Sequence, residues 1–83
     1  MKKDKLTYHP LYETSDLYLA AFLKTNKVPL SSIRKEGTRI FFQFYSSKAE
    51  DLALSFFNDA IAPAAAYARA LHELKSLIHG RVA

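Results

Sequence analysis

The residues in this chain that could do chemistry are few, and their spacing argues against most of it. Its three imidazoles are His9, His72 and His79. His72-Glu73 begins like the zinc-protease motif H-E-x-x-H, whose two histidines sit one helical turn apart on a metal, but the fifth position is Ser76. His72 and His79 stand about 10 Å apart along a helix axis, too far to share one ion. The chain has no cysteine, which removes thiolate ligands, disulfides and cysteine nucleophiles together. None of the serines lies in a G-x-S-x-G elbow. With only two glycines, Gly37 and Gly80, no glycine-rich turn can bring backbone N–H groups onto a phosphate. The adjacent acids Glu50 and Asp51 open an expected helix, where carboxylates complement the positive helix end. The expectation is a non-enzymatic protein with no metal and no cofactor.

Two groups of residues keep a functional reading. The first lies in the hairpin "LSSIRKEGTRIFFQFY", residues 30–45, where Gly37 supplies the positive φ of a tight turn. With Glu36-Gly37 as a two-residue loop, Arg34 lies directly opposite Arg39 and Ile33 opposite Ile40. A four-residue loop keeps the same faces and releases Arg34 into the turn. Ile33, Ile40, Phe42 and Phe44 share the core face; Arg34, Arg39, Phe41, Gln43 and Tyr45 share the outer one. Aromatic rings among arginines on an open sheet are what single-stranded nucleic-acid platforms use, stacking bases while neutralising phosphates. Opposed arginines repel, and an anion between them would reverse that penalty. The alternative is a self-associating domain, in which a second copy or a protein partner covers Phe41 and Tyr45 with the arginines at the rim. No RNP-like aromatic motif is present. The second group, Arg69, His72, Ser76 and His79, recurs at spacings of three, four and three. It reads as the solvated face of an amphipathic helix or, more sharply, as a phosphate-contacting stripe.

The elements that must position these residues follow from pattern. "LYET" suits a short edge strand. Thr14 or Ser15 caps a helix opened by Asp16, and "LYLAAFL" is apolar around so much of its circumference that it must be buried. Ser47 and Glu50 have capping-box spacing ahead of a second helix with a stripe of Leu52, Ala53, Phe56 and Phe57. Pro63 suits the first turn of a third helix and Gly80 its stop. Tyr67, Ala70, Leu71, Leu74, Leu77 and Ile78 form that helix's core stripe, and its run of alanines allows close helix approach. The order β-α-β-β-α-α predicts an α+β fold, a two- or three-stranded sheet with three helices on one face.

Eighty-three residues allow one domain, here 11–80, between a basic tail over 1–10 and a frayed end over 81–83. Apolar content of 49% supports a globular core rather than disorder. The net charge of +4 rests largely on Lys2, Lys3 and Lys5; without them nine basic residues face eight acidic ones. That balance is a thin basis for an anionic partner. "MKKDKLTYHP" lacks the apolar segment of a signal peptide, and no run approaches the roughly 18 apolar residues of a membrane span. A soluble cytoplasmic protein without membrane contact is expected.

"YETSDLYLAAFL", the basic hairpin with "RIFFQF" and the final "YARALHELKSLI" together resemble a small bacterial family catalogued as domain of unknown function 5659. The resemblance covers roughly residues 12–79. It implies this fold and a bacterial or phage setting, and it brings no activity and no site residues.

Overall fold

The computed structural model describes residues 10–82. Of the basic tail expected over 1–10, all but Pro10 lies outside the described residues, as do Ala83 and the side chains of 81 and 82. The elements are β1 (Leu11–Thr14), α1 (Leu17–Thr25), β2 (Ser32–Glu36), β3 (Arg39–Tyr45), α2 (Ala49–Phe57) and α3 (Ala64–Val82). They form an α+β fold with a three-stranded antiparallel sheet in the order β1-β3-β2. The strand richest in aromatic residues takes the centre, where Phe42 and Phe44 on its inner face are 1% and 0% exposed.

The hairpin register departs from expectation. Glu36 pairs with Arg39, Lys35 with Ile40, Arg34 with Phe41 and Ile33 with Phe42. Gly37-Thr38 is therefore the two-residue loop, with positive φ at Gly37 alone (63°). Glycine first with the positive φ matches a type II′ turn, whose twist suits the strands it joins. The pairing shifts by two residues relative to a Glu36-Gly37 loop, so every side chain keeps its predicted face. Arg34 and Arg39, however, are not directly opposed.

α1 is buried along five consecutive residues, Leu19 to Leu23, between sheet and helices. Ala20 and Ala21, both fully buried, allow the close approach expected of α3's alanines; of those alanines only Ala70 is buried. The helix cap is Asp16 itself, not Thr14 or Ser15: its Oδ1 accepts from the N–H groups of Tyr18 (2.9 Å) and Leu19 (3.2 Å). Thr14 Oγ1 accepts from Asp16 N–H at 3.0 Å and fixes the approach. At the other end Lys27 adopts φ 66°, and the Lys27 and Val28 N–H groups return to the carbonyls of Lys24 and Leu23, both at 3.0 Å. This is a Schellman closure with its hydrophobic contact, Val28 and Leu23 both being buried.

α2 starts one residue later than the capping box requires. Its N-cap is Lys48, which makes no side-chain cap bond, and Ser46 Oγ accepts from Lys48 N–H at 3.0 Å. Ala49 and Ala53 are buried, Leu52 and Phe56 pack partly against the core, and Phe57, expected in that stripe, is 64% exposed. One residue is 100° of helix rotation, enough to carry Phe57 off a face set by positions 49, 53 and 56. α3 begins as Pro63 C=O accepts from Tyr67 N–H at 3.0 Å, and it continues through Gly80. Gly80 is no stop, because a glycine in a helix costs only about 1 kcal/mol and needs a left-handed conformation to end one. Leu74 and Ala70 are buried and Ile78 packs on the core, whereas Leu77 lies at the edge of that ridge, 36% exposed.

Candidate functional site

Strand alternation places Leu11, Glu13, Ser32, Arg34, Glu36, Arg39, Phe41, Gln43 and Tyr45 on one face of the sheet. The three helices pack on the other. The predicted outer-face residues are thus brought together, and no described element covers them.

Their chemistry is governed by Glu13, which lies outside both groups of candidate residues in the sequence. Arg34, from edge strand β2, reaches across β3 and donates from Nε and Nη2 to the two carboxylate oxygens of Glu13 on the opposite edge, at 2.9 and 3.0 Å. Its third donor, Nη1, goes to Glu36 Oε1 at 3.0 Å. Gln43 Nε2 donates to Glu13 Oε2 at 2.7 Å, and Ser32 Oγ donates to Gln43 Oε1 at 2.6 Å. All three strands are therefore clasped by one network, with the fork-on-carboxylate geometry that makes arginine pairs specific. The bonds from Arg34, then Gln43, hold the Glu13 carboxyl below its ordinary range. The same bonds, to Glu13 first and then Glu36, make the Arg34 guanidinium still harder to deprotonate.

Arg39 is bound differently. Its Nη2 donates to Ser15 Oγ at 3.0 Å, so Ser15 serves the sheet's rim rather than the helix cap. A crevice of about 300 Å³ beside this bond is lined by Ser15, Arg39, Phe42 and Ile78 among others. Phe41 lies under both guanidinium groups, 4.3 Å from Arg34 Cζ and 5.1 Å from Arg39 Cζ to the ring centroid, within cation–π range. Its own arginines shelter it to an intermediate exposure. Tyr45 and its cross-strand partner Leu11 are left open, 51% and 49% exposed.

This arrangement changes what the face can do. Two arginines and two glutamates balance, and Arg34 is committed to carboxylates. An entering phosphate would have to displace them and would meet their repulsion. The apolar pair Leu11 and Tyr45 is offered without such competition.

The second predicted group, Arg69, His72, Ser76 and His79, is exposed along α3. No polar contact among the described residues ties these side chains together. Glu73 beside them pairs with Lys24 of α1 at 3.5 Å. Among the described residues no cluster of three or more histidine, aspartate or glutamate side chains could hold a metal, and no helix is long and apolar enough to cross a membrane.

Glu13 and Glu36 were readable in principle, since alternation from Leu11 puts Glu13 on the outer face. What no local pattern states is that β1 lies beside β3. Compared with known proteins, the chain matches no family model, no curated protein and no solved structure.

Proposed function

We propose that this is a non-catalytic, cytoplasmic interaction module that associates with a second copy of itself through the outer face of its sheet. The observation that carries the reading is an outer face whose charges balance, Arg34 and Arg39 against Glu13 and Glu36, with Arg34 bound to both carboxylates, beside exposed Leu11 and Tyr45. A face whose charges already balance can meet its own symmetry mate without net repulsion, which a two-fold contact requires. At about 3.3 Å per residue and 4.8 Å per strand the sheet measures roughly 23 by 14 Å. That is small against the ~800 Å² per partner of a standard interface, so the dimer is weak and forms at high protein concentration.

A second reading, association with single-stranded nucleic acid, is favoured by Arg39. Among the described residues its only polar side-chain partner is the Ser15 hydroxyl, and Phe41 lies on the same face. The kinship with domain of unknown function 5659, proposed from the opening motif, adds no activity to either reading. The test is sedimentation equilibrium on wild type and Tyr45→Ala, paired with fluorescence anisotropy against a random single-stranded oligonucleotide over a salt series. Self-association that tolerates salt and is lost in Tyr45→Ala supports the dimer, because apolar contacts are not screened. Oligonucleotide binding that falls steeply with salt and is weakened by Arg39→Ala replaces it with the nucleic-acid reading.

A further inference from the structure

The most exposed of the large apolar side chains lie away from the sheet face. Ile61, in the loop between α2 and α3, is 96% exposed; Phe57 and Leu54 on α2 are 64% and 61% exposed. Leu54 and Phe57 are three residues apart, on one stripe of the helix with Glu50. Phe57 stands edge-on to Phe56 at 5.3 Å between centroids, and Phe56 packs on Phe22 at 5.4 Å. Phe22, Phe56 and Tyr67, with the small residues Ala60, Ala62 and Ala64, line an open groove of about 470 Å³. The exposed residues thus adjoin an apolar trough in the core's own flank.

Charge distinguishes this surface from the rest of the molecule. In a chain of net charge +4, residues 48–67 carry three acids, Glu50, Asp51 and Asp59, against one base, Lys48. Asp59 lines the groove and no basic side chain does. None of the three acids is ion-paired among the described residues. The loop's backbone is not free to fold the patch away. Asp59 holds φ 61°, and the Asp59 and Ala60 N–H groups close α2 onto the carbonyls of Phe56 (3.3 Å) and Ser55 (3.1 Å). In α1 the matching closure buries its hydrophobic pair; here the residues in those positions are Ser55 and Ala60, both exposed, and Ile61 is projected beyond them.

We propose that this surface is a second docking site, for a short basic amphipathic peptide segment of another protein. Its apolar side chains, one helical turn apart, enter the Phe22–Phe56–Tyr67 groove and cover Phe57 and Ile61, and its flanking lysines or arginines face Glu50 and Asp59. An apolar groove read by an amphipathic helix is a recurring mode of recognition, and the acidic rim selects the sign of the partner. A second copy docking symmetrically would set acids against acids. The site is separate from the sheet face, so neither proposal depends on the other.

The test is fluorescence polarisation with two labelled peptides sharing one leucine stripe, one with lysines and one with glutamates on its polar face. The lysine peptide is expected to bind, more weakly as salt rises, and the glutamate peptide not to. Ile61→Ser, at a site too exposed to affect folding, is expected to weaken binding by about tenfold or more. Glu50→Lys with Asp59→Lys, checked by circular dichroism to remain folded, is expected to reverse the preference. Tyr45→Ala is expected to leave binding unchanged. Equal binding of both peptides, binding of neither, or binding indifferent to Ile61→Ser would overturn the proposal. So would self-association that Ile61→Ser abolishes, since the occupant would then be a second copy.

Discussion

At the scale of single residues, neighbouring side chains of like type take opposite roles. Phe42 is buried while Phe41 lies under two guanidinium groups on the outer face. Phe42→Ala is expected to cost about 3–5 kcal/mol, and Phe41→Ala clearly less, by urea denaturation of both. Asp16→Ala removes the α1 cap and is expected to cost about 0.5–2 kcal/mol. Ser15→Ala, which removes only an acceptor for Arg39, is expected to cost less than Asp16→Ala; equal costs would return the cap to Ser15. Glu13 makes the network pH-dependent. Its folded pKa is depressed by Arg34 and then Gln43, so its contribution is complete above the unfolded glutamate value and disappears as pH falls through the folded one. Side-chain NMR titration is expected to place Glu13 below the ordinary glutamate midpoint, and Glu13→Gln to remove its share of the acid dependence of stability. Which phenylalanine faces inward was legible, because strand alternation with Ile33 and Ile40 leaves one consistent solution. Arg34's partner was not, because Glu13 lies twenty-one residues away on a strand whose neighbour no local pattern specifies.

At the scale of elements, the order of strands and helices could be read from period and punctuation, and the errors are all at ends. The hairpin loop moved by one residue because Gly37 can serve as either central position of a two-residue turn, and it here takes the first. α2 ignores its capping-box sequence and begins at Ala49, while α3 runs through Gly80. Both helix closures place a non-glycine residue in the left-handed region, Lys27 at φ 66° and Asp59 at φ 61°. Glycine carries no Cβ penalty there. Lys27→Gly is expected to stabilise the fold by about 0.5–1 kcal/mol, and Asp59→Gly by less, because short polar residues tolerate that conformation better. Gly80→Ala is also expected to stabilise, by up to about 1 kcal/mol, since an added Cβ would meet nothing within 4 Å. Thermal melts of the three variants check these signs; a lower melting temperature for Gly80→Ala would mean that the helix stops where its sequence suggests.

At the scale of the whole molecule, the helices fill one side of a small sheet and leave the other as a charge-balanced polar face with an apolar end. The outer face was legible as a set of residues, but its electrostatic character was not. Two arginines read from a hairpin alone look like an anion site; set beside β1 and the turn's own Glu36, they become half of a face whose charges balance, Arg34 bound to both glutamates and Arg39 to the Ser15 hydroxyl. That neutrality is why a copy of the chain is favoured over a polyanion, and why salt separates the two readings. The direct measurement is sedimentation equilibrium at high protein concentration, in low and high salt, for wild type and Tyr45→Ala. A weak monomer–dimer equilibrium is expected for wild type, little changed by salt, and a monomer for Tyr45→Ala. A wild-type protein that stays monomeric at every concentration and salt would contradict the dimer.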